Sequence, residues 1–196
     1  MKKALVVIDV QKLYTDEESD MYCEDSAATV DQINKLISEF EKRKEPIYLI
    51  RHVHKVDGSD LGRMFDFSGE PEEDFNFKEG SDEVEYDDRL KIPKSCLEIV
   101  KNRYSAFEGT DLEKHLQKAK VEGVVICGFM TNFCCESTAR SAHDKDYFVD
   151  FVLDATGTPG TENIDEKEMR KFVGECLESG FSRVMSTEDF MSERNK

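Results

Sequence analysis

Short, unbroken apolar runs alternate with amphipathic stretches along most of the chain, and this alternation restricts the fold more than any other feature. The run ALVVIDV (4–10) is β-branched and uninterrupted, as expected of a strand covered on both faces. AATVDQINKLISEFEKRK (27–44) then carries Val30, Ile33, Leu36, Ile37 and Phe40 at helical spacing, with charges opposite, the pattern of a helix that buries one side. PIYLIRHV (46–53), GVVICGFM (123–130), YFVDFVLDA (147–155) and FSRVMST (181–187) predict further strands. DLEKHLQKAK (111–120), TNFCCESTARSAHDK (131–145) and DEKEMRKFVGECLES (165–179) predict helices. Strands that alternate with helices imply βαβ crossovers. The expected architecture is therefore α/β: a single-domain, three-layer α/β/α sandwich around a mostly parallel, Rossmann-like sheet.

At 196 residues the chain fits one domain, 1–196, better than two. Residues 55–95 break the alternation. They are rich in Asp, Glu and Gly, contain Pro71 and Pro93, and read as a long loop with a short strand near EVEYDD. Such a loop either covers a site or makes a solvated excursion. Phe65, Phe67, Phe75 and Phe77 recur in it at even spacing, as pocket or subunit-contact side chains. Net charge is -16, which repels phosphate backbones and anionic lipid and disfavours nucleic-acid and membrane partners. The amino-terminal apolar stretch breaks at Asp9, too early for a secretory signal, so a cytoplasmic location is expected. Six cysteines without a CxxC pair suggest neither a disulfide framework nor a structural zinc ribbon.

In an open parallel sheet, chemistry gathers where strand carboxyl ends meet helix amino termini. GVVICGFM ends at such a point, and Cys134 falls in the first turn of the next helix. The helix dipole there is expected to lower the thiol pKa, and free N–H groups to hold an oxyanion. Cys135 is rotated by about 100° around the helix, and Cys127 lies inside the apolar run. A nucleophilic thiol needs a proton acceptor. His115 and His143 sit within helices, poorly placed for Cys134. Asp9 at the end of the first strand and Lys101 after CLEIV are charges that packing alone does not explain. Near each other, both would stay charged and shape the thiol's protonation.

The segments ALVVIDVQ, KNRYSAFEGTDL, GVVICGFMTNFCCESTARSA and FVLDATGT, in this order, together resemble the isochorismatase-like cysteine hydrolases. The resemblance runs from Ala4 to the last helix. It implies a parallel sheet of about six strands and a triad of Asp9, Lys101 and Cys134. It also implies a cis peptide at Phe129–Met130, which would turn the Met130 N–H toward the substrate oxygen. Met130 and Cys134 amides would then form the oxyanion hole. The implied reaction is cleavage of a C–N bond in a small amide or ureido compound through a thioester. Gln11, His52, His54, Tyr104, Phe107 and Phe129 are the candidates to line the substrate pocket. A homo-oligomer, dimer or tetramer, is implied as well.

The nicotinamidase branch of this family binds a metal through an Asp-x-His pair and a later His. This chain reads HVH, His52 and His54, and has no histidine between His54 and His115. Asp57, Asp60 or Asp66 would have to supply the third ligand. The favoured reading needs no cofactor, with the histidines lining the pocket; zinc at His52 and His54 is the alternative. Two other functions compete. Isochorismatase-type vinyl ether hydrolysis belongs to relatives that lack the cysteine. A non-catalytic, redox-sensing protein would use Cys134 and Cys135 as an oxidation-sensitive pair.

Overall fold

A computed structural model of the chain describes residues 1–66, 68, 69 and 74–194; Phe67 and Pro71 of the expected loop lie outside them. Six strands form one sheet: β1 (Lys3–Ile8), β2 (Ile47–His52), β3 (Leu97–Lys101), β4 (Gly123–Phe129), β5 (Phe148–Gly157) and β6 (Arg183–Met185). Their spatial order is β3-β2-β1-β4-β5-β6, and every pairing is parallel. The helices are α1 (Lys12–Thr15), α2 (Ser26–Arg43), α3 (Leu112–Lys118), α4 (Glu136–Asp144), α5 (Glu166–Glu178) and α6 (Thr187–Arg194). Among the described residues no helix is long and apolar enough to cross a membrane.

Side-chain alternation on the strands builds two cores. Leu5 and Val7 of β1 join Val125 and Cys127 of β4 against Ile33, Leu36, Ile37 and Phe40 of α2. Ala4, Val6 and Ile8 face the other way, with Leu112 and Leu116 of α3, Ala139 and Ala142 of α4, and Leu177 of α5. Burial of central strands on both faces explains why they read as unbroken apolar runs.

The structure departs from the sequence expectations in four places. β1 stops at Ile8, because Asp9 takes a φ of 49° and turns the chain out of the sheet. The stretch after β4 does not start as an ordinary helix. Thr131–Cys135 form a π turn, with the Cys135 N–H donating to the Met130 carbonyl at 3.1 Å, and α4 follows. EVEYDD holds no strand: Asp82–Val84 form a 3₁₀ turn, and Tyr86 makes an isolated bridge to Gln11. Lastly, β6 is only Arg183–Met185, and α6 follows where no amphipathic period announced a helix. Its start is secured from β5, since the Asp154 carboxylate accepts the Thr187 N–H (2.7 Å) and hydroxyl (2.9 Å). Phe190 then stacks on Phe40 at 6.1 Å.

The long loop after β2 is a covering element. Leu61, Met64, Phe77, Val84 and Leu90 are all buried. Phe77 is anchored at the end of β2, its carbonyl accepting the His54 N–H at 2.7 Å.

Candidate active site

The carboxyl edge of the sheet brings together residues from four neighbouring strands. His52 and Lys101 close β2 and β3, Asp9 follows β1, and Cys134 lies in the turn after β4. Asp9, Lys101 and Cys134 are 0%, 2% and 2% exposed, so the group is shielded from solvent. Lys101 Nζ lies 2.8 Å from Asp9 Oδ2 and 3.2 Å from Cys134 Sγ. It also lies 3.0 Å from the Arg103 carbonyl and 3.2 Å from His52 Nδ1. The Asp9 contact meets an ion-pair distance but not hydrogen-bond direction, so neither carboxylate oxygen has a regular donor among the described residues.

Burial sets the proton state. It pushes the Cys134 thiol up to about 12, an effect opposed by Lys101 and reinforced by Asp9. The depression expected from the helix dipole is therefore overruled: desolvation of a sulfur this deep outweighs it. Burial also raises Asp9, which the Lys101 charge only partly offsets. For Lys101 burial works downward, but Asp9 and Cys134 outweigh it and hold the ammonium above its ordinary value. The resting arrangement is thus an ammonium touching a neutral thiol, beside a carboxylate made more basic by its surroundings.

The remaining candidates divide. His52 and His54 are fully buried, with their Nε2 atoms 3.0 Å apart. Burial first, then Lys101 for His52, keeps both imidazoles below their ordinary pKa; for His54, Asp60 pulls the other way. Gln11 braces the backbone. Its amide donates to the His52 and Val84 carbonyls, both at 3.0 Å, and accepts the His52 N–H at 2.8 Å. Phe107 stacks on Tyr147 at 6.1 Å, and Phe129 stacks on Tyr14 at 5.6 Å, so both rings are engaged in packing. Tyr104 pairs with the half-exposed Phe133 at 5.4 Å. The Phe129–Met130 peptide is cis. Asp57 and Asp66 are turned into their own loops, accepting the Ser59 and Gly69 N–H groups, while Asp60 approaches His54. Arg140 pairs with Glu136 and stacks over Phe181.

Sequence reading missed the roles of Arg103 and Thr138 and left Phe77 open between a pocket and a subunit contact. The Arg103 carbonyl holds Lys101, Phe77 stacks on His52 at 4.1 Å, and Thr138 bridges two segments of the site. The Thr138 hydroxyl donates to the Cys134 carbonyl at 2.6 Å and accepts the Ala106 N–H at 3.0 Å. A backbone carbonyl leaves no mark on residue type, and a threonine among the small residues of ESTARSA carries no signal of its own.

The family model for the isochorismatase domain matches residues 3–189. The chain belongs to the isochorismatase family. Among the relatives of this isochorismatase-family hydrolase is YwoC of Bacillus subtilis, itself an isochorismatase family protein, 29% identical over 192 residues and covering 98% of this chain and 94% of its own. Nicotinamidase 3 of Arabidopsis thaliana is 50% identical over 60 residues, 31% of this chain and 30% of its own. A cysteine hydrolase of Pseudomonas syringae superposes with a TM-score of 0.87 at 26% identity, over 97% of this chain and 91% of that one.

Proposed function

We propose that this hydrolase cleaves a C–N bond of a small amide or ureido compound through a thioester on Cys134. The observation that carries the reading is a single buried ammonium, Lys101, in contact with both Asp9 and Cys134. The nicotinamidase and cysteine hydrolase relatives support it.

In this reading Cys134 Sγ attacks the carbonyl carbon as its proton passes to Asp9. The neutral thiol and the raised carboxylate suit that transfer, since the proton moves between neighbours whose affinities have been brought closer. Lys101 stays protonated and neutralises charge on the sulfur. The Met130 and Cys134 amides receive the oxyanion. Collapse of the intermediate breaks the C–N bond, and Asp9 returns its proton to the departing amine. Water then adds to the thioester, giving a proton to Asp9, and the acid leaves as the thiol re-forms. Because Cys134 is 2% exposed, the groups over it must move to admit a carbonyl. The redox alternative is weakened by Cys135, which is fully buried with a thiol held well above its ordinary pKa by burial.

A panel of nicotinamide, small aliphatic amides and ureido acids tests the reading. Wild type is expected to turn over at least one of them. Cys134→Ala and Asp9→Asn should lose about 10³-fold or more in kcat/KM on that substrate. Wild-type rates in Cys134→Ala would end the reading.

A further inference from the structure

Asp9, His52 and Cys134 place an oxygen, a nitrogen and a sulfur within 4.8 Å of one another, a donor set that suits a divalent cation such as zinc. The middle of that set is taken. Lys101 Nζ lies 2.8 Å from Asp9 Oδ2, 3.2 Å from Cys134 Sγ and 3.2 Å from His52 Nδ1.

Proton counting extends outward from this ammonium. An ammonium donates and never accepts, so His52 Nδ1 must present its lone pair and carry its proton on Nε2. His52 Nε2 stands 3.0 Å from His54 Nε2, which must then be bare, leaving the His54 proton on Nδ1. That nitrogen faces Asp60 Oδ1 at 3.4 Å, an electrostatic contact longer than a regular hydrogen bond. Asp60 is itself held, by the Lys55 N–H at 3.0 Å and by Arg103, which donates to its carbonyl at 2.8 Å. Phe77 stacks on His52, and the edges of Phe65 and Phe75 meet His54. A metal bound by both Nε2 atoms would need His52 to carry its proton on Nδ1, since a ligating imidazole donates through its other nitrogen. That proton would point at the ammonium. The histidine pair does not fit a metal while Lys101 is charged.

We infer that the hydrogen-bonded pair His54–His52, its proton direction set by the Asp60 charge facing His54 Nδ1, positions Lys101, and that its ammonium stands where a divalent cation would otherwise bind. The importance of that position rests on the role given to Lys101 above, but the test needs no turnover.

Ring-nitrogen NMR of the full chain should find both imidazoles neutral, His52 protonated on Nε2 and His54 on Nδ1. One equivalent of Zn²⁺ should shift neither. In His52→Phe, which keeps a ring against Phe77 but loses the acceptor, the Lys101 ammonium protons should exchange with water at least tenfold faster. Lys101→Ala should gain a cobalt–thiolate absorption band on addition of Co²⁺ that wild type lacks. A His52 proton on Nδ1, stoichiometric Zn²⁺ bound by the wild-type pair, or unchanged ammonium exchange in His52→Phe would each overturn the inference. Should Lys101→Ala fail to fold, the wild-type spectra and His52→Phe still decide it.

Discussion

Lys101 touches Asp9, Cys134, His52 and the Arg103 carbonyl with one nitrogen, and the behaviour of each neighbour follows from that charge and from burial. The consequence for pH is clearest at Asp9. Burial raises its pKa above the ordinary 3.8, with Lys101 offsetting part of the effect. A raised carboxyl keeps its proton to higher pH, and a protonated Asp9 cannot accept the thiol proton. Activity should therefore fall as pH drops through a value above 3.8. The acid limb of a kcat/KM profile on the best amide substrate measures this; a limb at or below 3.8 would contradict it. That Asp9 and Lys101 stand out was legible in the sequence, because an acid and an amine at the ends of apolar runs have no packing explanation; their grouping with Cys134 came from the family resemblance. The direction of the thiol shift was not legible, because helix position is written in sequence and depth of burial is not.

At the level of elements, the approach of β4 to β1 is the tightest constraint near the site. Gly128 pairs with Ile8 at a φ of 121°, and a Cβ there would lie 1.9 Å from the Ile8 carbonyl oxygen. Neither the conformation nor the space admits a side chain. Gly128→Ala should lose more than the ~0.5–3 kcal/mol of an ordinary substitution, measured by urea unfolding, or fail to fold. Stability unchanged within about 0.5 kcal/mol would show that this approach has been misread. Elements with a strong period, such as α2 and the central strands, were legible almost to their ends. The helix α6 was not, because its start is capped by Asp154 from a distant strand. The turn that carries Cys134 also escaped, since a helical pattern does not distinguish a π turn from an α turn.

For the whole molecule, the strand order β3-β2-β1-β4 sets Lys101, His52, Asp9 and Cys134 in a row along one edge. Lys101 must reach past β2 toward β1, across strands spaced about 4.8 Å apart, which suits a long, flexible amine. The expected parallel sheet and its layers are those of the structure, because alternation of runs and helices leaves few other topologies. What the loop of residues 55–95 does was not legible. The even spacing of its aromatics left a pocket and a subunit contact equally open, and only the fold shows that Phe77 lies on His52. The central claim is that Cys134 becomes acylated during turnover. It is tested most directly by acid-quenching the enzyme in its first turnovers on an active amide and weighing the intact protein. A mass gain equal to the acyl fragment, mapping to Cys134 and missing in Cys134→Ala, is the expected result. Steady turnover with no adduct on that sulfur, and with the rate preserved in Cys134→Ala, would contradict it.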